Sequence, residues 1–306
     1  QGVALGYPMR ALQAPETTTL PTIPAHTPAN RGFVDSARGG CYDARGAANR
    51  SAHVIPFRDH NPSGTVPVVT LALIVLNSLA FLFELQQGEQ LEGFIRGYGL
   101  TPCRVFGKEP PKLESRLRIV GPWLVQEEVQ TVPPAPVWLT FFTSMFLHGG
   151  WMHLLGNMWY LWIFGDNVED RMGHAKFLLF YLLCGLCAAG AQVAANAGST
   201  VPMVGASGAI AGVLGAYLIA FPYARVSTLV FLGFFMTVVQ MPAFVLLGFW
   251  FVLQFLSGMG SMTMTEAAGG VAWWAHVGGF VAGMGLLFAF QKPAPRRRAY
   301  VYYRRI

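Results

Sequence analysis

Apolar residues in this chain gather into long runs, not into short alternating strands or one-sided stripes. Residues 1–53 are rich in Pro, Gly, Ala, Thr and Arg and show no apolar period, and the first long run is Val66 to Leu85, which carries Asn77 and Ser78 as polar interruptions before Glu84. Residues 86–137 turn polar, and further runs follow at 151–168, 175–196, 206–222, about 238–257 and 271–290. Each run approaches the roughly 20 residues with which a helix crosses a hydrocarbon core of about 30 Å. The pattern predicts six helical spans. Residues 226–237 are apolar as well, so the pattern leaves the start of the fifth span open, and Pro242 is expected to kink that helix.

Composition sharpens this into an all-α membrane protein. Hydrophobic residues make up 53% of the chain and charged residues only 12%, against about 25% charged in a soluble domain. The net charge of +6 is concentrated in two flanks, and Arg296, Arg297, Arg298, Arg304 and Arg305 lie beyond the last apolar run. That placement reads as a positive-inside anchor against anionic lipid and excludes a nucleic-acid surface. An even number of spans returns both ends to the cytoplasmic side, the side on which Arg171, Lys176 and Arg225 also fall. The long first loop, residues 86–137, holds six basic and six acidic residues and is compatible with an extracytoplasmic position. The expected organisation is a disordered tail over 1–53 without a signal-peptide h-region, a six-span membrane domain over 54–291, and a basic cytoplasmic tail over 292–306. Four cysteines are too few for a disulfide framework, and Cys184 and Cys187 read as small, buried, inert helix residues, not as a redox or zinc pair.

Ionisable side chains inside a span cost several kcal/mol unless they are paired or functional. Spans two, four and six run in one direction, so distance from their cytoplasmic ends measures depth. Ser207 lies 15 residues before Pro222, His276 lies 15 before Gln291, and His153 lies 16 before Glu169. At 1.5 Å per residue this is about 22 Å, several Å short of the outer surface. Three helices thus carry polar groups to one depth. Gly208, Gly212 and Gly215 in span four match Ala275, Gly279 and Gly283 in span six, small residues that let two backbones approach closely.

A serine hydroxyl becomes a nucleophile when a base accepts its proton, and imidazole is suited to that task. Ser207 and His276 supply such a pair, and with no Asp or Glu near that depth in spans four and six a dyad is expected. Acyl transfer also needs donors for the oxyanion. His153 and Asn157 stand one turn apart on one helix face, and the N–H of Ser207, at the start of its span, has no intrahelical acceptor. No residue cluster implies a metal or organic cofactor.

The motifs G-A-S-G-A-I (Gly205–Ile210), A-H-V-G-G (Ala275–Gly279) and H-L-L-G-N (His153–Asn157) resemble the three signatures of rhomboid proteases. The likeness covers about 54–290, and I-P-F-R-D-H-N-P from Ile55, H-G-G-W-M-H from His148 and G-D-N-V-E-D-R-M-G from Gly165 are similar to bacterial members. The resemblance implies a six-helix bundle cleaving transmembrane segments of other proteins in the bilayer. In it Ser207 is the nucleophile, His276 the base, and His153 with Asn157 the oxyanion side chains. Phe249, Trp250 and Phe251 line a lateral gate on the fifth helix, and Glu169 and Arg171 hold structural positions. Two positions depart from the pattern. Ala211 stands where some members carry an aromatic that supports the catalytic His, and Trp138 is followed by Leu139 where others have a Trp-Arg pair in the first loop.

Competing classes fare worse. H-E-x-x-H is absent, and the hydrolase elbow G-x-S-x-G fails at Ala209. A transporter predicts charged residues near mid-membrane, often in internally repeated halves, and no such repeat is seen. The remaining alternative is a catalytically silent relative that binds membrane segments. The expected partners are transmembrane substrates and the lipid bilayer, with no nucleic acid; the oligomeric state is unknown from sequence, and a bacterial plasma membrane is the expected location.

Overall fold

The computed structural model describes residues 54–108, 116–120, 123–127, 133–232, 235–261 and 271–293. The tail expected over 1–53 and most of the basic tail lie outside them. In order, the elements are β1 (Val54–Asp59), α1 (Val68–Leu85), a 3₁₀ turn (Gly88–Gln90), α2 (Leu91–Tyr98), α3 (Pro102–Val105), β2 (Arg116–Val120) and β3 (Trp123–Glu127). There follow α4 (Val137–Thr143), α5 (Trp151–Met172), α6 (His174–Ala195), α7 (Ser207–Ala220), β4 (Arg225–Leu232), β5 (Phe235–Pro242), α8 (Ala243–Ser261) and α9 (Trp273–Phe290).

The molecule is mostly helical, and α1, α6, α8 and α9 are long and apolar enough to cross a membrane. α7 is a shorter apolar helix. α5 is 22 residues long and ends in a charged turn. On α1, Leu71, Val75, Leu79 and Leu82 point outward. Such an apolar face is stable against lipid tails and unfavourable against water.

The fifth span starts later than the sequence pattern suggested. Residues expected to open a helix at about 238, kinked at Pro242, instead form β5, which pairs antiparallel with β4, and α8 begins at Ala243. β-branched Val226, Thr228, Val230, Val238 and Val239 favour the extended form. Pro242 closes β5 opposite Arg225, where its missing N–H leaves the interior of the ladder intact. β1 adds antiparallel to β4, and its register shifts between Pro56 and Arg58. The three-stranded sheet β1-β4-β5 is an addition to the all-α architecture expected, and so is the β2-β3 hairpin inside the first loop.

Two features fix the helices around the site. The first is the crossing of α7 and α9. A Cβ on Gly279 would collide with the Gly208 carbonyl and one on Gly283 with the Gly212 carbonyl, so only hydrogen at both positions permits the approach. The matched small residues of the two apolar runs do meet.

The second is a polar clasp at the far end of the bundle. Glu169, buried near the end of α5, accepts from the Val69 and Thr70 N–H groups (2.9 and 2.7 Å), the Thr70 hydroxyl (2.7 Å) and His174 Nδ1 (2.5 Å). Its carboxylate caps the start of α1, whose own N-cap, Pro67, offers no side-chain bond. Arg171 Nη2 donates to Gln291 Oε1 at 3.0 Å, tying the end of α5 to the end of α9. Gly173, at φ +87°, makes the sharp joint from α5 into α6 in a conformation that a side chain disfavours. Asp59 on β1 accepts from Tyr217 Oη and Asn167 Nδ2, both at 2.8 Å, and so ties the sheet to α7 and α5.

Candidate active site

Ser207 is the first residue of α7. Intrahelical bonding begins at Ile210, whose N–H donates to the Ala206 carbonyl, so the N–H groups before it point out of the helix end. The segment leading in is held from two sides. Leu100 and Met203 pair through both backbone bonds, and Gly205 N–H donates to the Ser144 carbonyl at 2.8 Å. Gly205 has φ +125°, and a Cβ there would stand 2.7 Å from His153 Nε2. Glycine is therefore required both by the backbone conformation and by the imidazole beside it.

His276 is the fourth residue of α9, and its Nε2 lies 2.8 Å from Ser207 Oγ. The crossing of α7 over α9 brings these short and long side chains within hydrogen-bond reach. The other ring nitrogen, Nδ1, lies 2.6 Å from Oε1 of Gln254, a buried residue on α8. Trp250 is tilted against the imidazole at 5.9 Å and Trp273 meets it edge-on at 6.3 Å. These three side chains do the supporting that the missing aromatic at Ala211 left open. Sequence reading missed Gln254. The signal available was a lone amide inside the apolar run A-F-V-L-L-G-F-W-F-V-L-Q-F-L, where an unpaired polar group is costly.

His153 and Asn157 lie on one face of α5, with the His153 ring beside Gly205 and close to the serine loop. Asn157 is buried, and its Nδ2 has no hydrogen-bond partner among the described residues. A buried amide donor without an acceptor is uncommon in a finished structure and is what a site for developing negative charge requires. Gly149 N–H donates to His153 Nδ1 at 3.3 Å, so that nitrogen accepts and Nε2 carries the hydrogen toward Gly205 and Ser207.

His148 sits 5.3 Å from His153, ring to ring. Its backbone N–H donates to both Glu84 carboxylate oxygens at 3.1 Å, which fastens the loop before α5 to the end of α1. Burial holds the His148 imidazole down at about 4, below the ordinary 6.5, so the ring is neutral at pH 7. Its contacts are those of a buried support to the loop. Gln192 on α6 accepts from the Ala275 N–H at 3.2 Å, a further bond next to His276 that sequence reading missed.

Of the residues assigned to a gate, Trp250 and Phe251 turn inward onto Phe280, whereas Phe249 faces outward. Trp138 is exposed, and the first loop is held instead by Arg104 Nη2 donating to the Ala135 carbonyl at 2.9 Å and by the Thr143 hydroxyl on the Tyr98 carbonyl at 2.6 Å. Cys184 is buried against Gly212, but Cys187 is exposed, contrary to the expectation that both are buried; neither forms a disulfide. Among the described residues no group of three His, Cys, Asp or Glu could hold a metal ion.

Comparison with known proteins agrees with this geometry at the level of the family. Residues 135–293 match the model described as the Rhomboid domain. The chain is similar to Rhomboid protease GluP of Bacillus subtilis (42% identity over 81 residues) and to the Putative rhomboid protease YdcA of the same organism (39% over 87). It is also similar to Rhomboid-like protein 11, chloroplastic, of Arabidopsis thaliana (39% over 83). These stretches cover 26%, 26% and 25% of this chain and 15%, 40% and 27% of the three relatives. The relatives are bacterial and plant, with a further one from yeast, so the likeness reaches the family and does not single out its bacterial members.

Proposed function

The chain belongs to the rhomboid family, an integral membrane protein with several apolar helices, and from that premise we propose that it is an intramembrane serine endopeptidase working through Ser207 and His276. The observation that carries the reading is the 2.8 Å contact between Nε2 and Oγ, made by residues from two different helices.

The chemistry follows from the atoms present. Ser207 Oγ attacks the carbonyl carbon of the scissile peptide bond as His276 Nε2 takes the hydroxyl proton. The oxyanion is met by the Ser207 N–H, Asn157 Nδ2 and the His153 ring. His276 returns its proton to the leaving amine, and water, activated by the same ring, then hydrolyses the ester and restores the serine. The substrate is a transmembrane segment of another protein, admitted sideways past α8 at Phe249, Trp250 and Phe251. A helical carbonyl is already occupied by its own hydrogen bond, so the cleaved segment must unwind, which favours Gly and other weak helix formers near the scissile bond. A bacterial plasma membrane with both termini on the cytoplasmic side suits the arginine tail.

Cleavage of a single-span reporter by the purified protein in liposomes tests this. Wild type is expected to cut, with Ser207→Ala and His276→Ala each slower by at least about 10³-fold. Binding of the reporter by all three proteins with cleavage by none would replace the enzyme with a silent binder of membrane segments.

A further inference from the structure

The imidazole of His276 is held at both nitrogens. Nε2 faces the serine, and Nδ1 faces a side-chain oxygen of α8 at 2.6 Å. For Nε2 to accept the serine proton, the ring hydrogen must sit on Nδ1, and an amide oxygen is an acceptor and never a donor. The facing atom therefore selects the useful tautomer. Gln254 is also the one polar side chain among the buried residues of α8, so the helix carries a desolvated amide that its packing does not otherwise use.

We infer that Gln254 is a positioning residue that locks His276 in the Nδ1–H tautomer and aims Nε2 at Ser207, the part a carboxylate plays in a Ser-His-Asp triad. This rests on the proposed reading of Ser207 and His276. A neutral amide suits the location, because a carboxylate inside a span bears a desolvation cost that an amide avoids. It also differs from the triad in origin, since the orienting group comes from a third helix.

Two variants separate orientation from packing. Gln254→Met keeps length and packs well among apolar neighbours but offers no acceptor, whereas Gln254→Glu keeps an acceptor oxygen and packs worse. Orientation predicts that kcat for the liposome reporter falls about 10²-fold in Gln254→Met with KM little changed, less than the about 10⁴-fold of a wrong-tautomer triad, and falls less in Gln254→Glu. A packing role predicts the opposite order. ¹⁵N spectra of histidine-labelled protein in micelles, with His276→Ala supplying the assignment, read the tautomer without turnover. A single Nδ1–H form in wild type that becomes a mixture in Gln254→Met supports the inference. The same tautomer population in both proteins, or full kcat in Gln254→Met, overturns it. Loss of cleavage in Ser207→Ala with full kcat in Gln254→Met would sink the positioning role alone; undiminished cleavage in Ser207→Ala would sink the reading beneath it.

Discussion

The two ends of the helix bundle handle buried polar groups in opposite ways. At the clasp, Glu169 accepts four hydrogen bonds and Asp59 two, so that carboxylates, hydroxyls and amides answer one another. At the serine end, Asn157 Nδ2, His148 Nε2 and Ser144 Oγ are buried without a partner among the described residues. An unmade bond inside a protein costs about 1–3 kcal/mol, so the second end is held together at the expense of the first. The clasp keeps α1, α5, α7 and α9 in register, and under the proposed function that register is what would let the serine end keep donors ready for charge that arises only during reaction.

The contrast can be broken at the clasp. Glu169→Ala leaves the buried Thr70 N–H, the half-buried Val69 N–H and the Thr70 hydroxyl without this acceptor and should cost about 3–5 kcal/mol, read as a lower thermal unfolding midpoint in detergent. An unchanged midpoint would mean that the clasp contributes little. Asn157→Ala sharpens the contrast at the other end. It should slow reporter cleavage by about 10²–10³-fold while leaving the midpoint unchanged or raised, because the Nδ2 it removes has no hydrogen-bond partner among the described residues. A fall in both together would make Asn157 an ordinary structural residue.

The smallest effect concerns pH. Burial pushes the Asp59 carboxyl up to about 6 from its ordinary 3.8, although the Tyr217 hydroxyl works against this. The folded protein then holds a proton that the unfolded chain releases, so stability from this group is present below about 4 and falls as pH rises to about 6. Asp59→Asn keeps an acceptor for Tyr217 and should flatten that slope, measured as unfolding midpoints across pH 4–7. A slope that persists would assign it to another group.

Much of this was legible because membrane depth is linear in sequence. Ser207, His276 and His153 could be placed together by counting along helices that share a direction, and the small residues of α7 and α9 announced their crossing. Two features resisted for physical reasons. Residues 225–242 are apolar and β-branched, a composition shared by strands and spans, and only pairing with β1 and within the hairpin distinguishes them. Gln254 resisted because its partner lies 22 residues away on another helix, and the facing of α8 toward α9 is a tertiary fact. The exposure of Cys187 beside buried Cys184 is likewise set by which neighbour each helix face meets.

The acceptor for Nδ1 rides on a helix whose other side, at Phe249, Val252 and Leu256, is turned outward and apolar. A slide of α8 by two residues' rise, about 3 Å, is enough to carry a 2.6 Å hydrogen bond lying across it to about 4 Å, beyond its useful range of about 3.2 Å. Helices of this kind tilt and shift to match the hydrocarbon thickness around them. Under the proposed function the lipid would thus become an input to proton transfer, and a bilayer thicker or thinner than the matched one is expected to detune the imidazole without touching the serine.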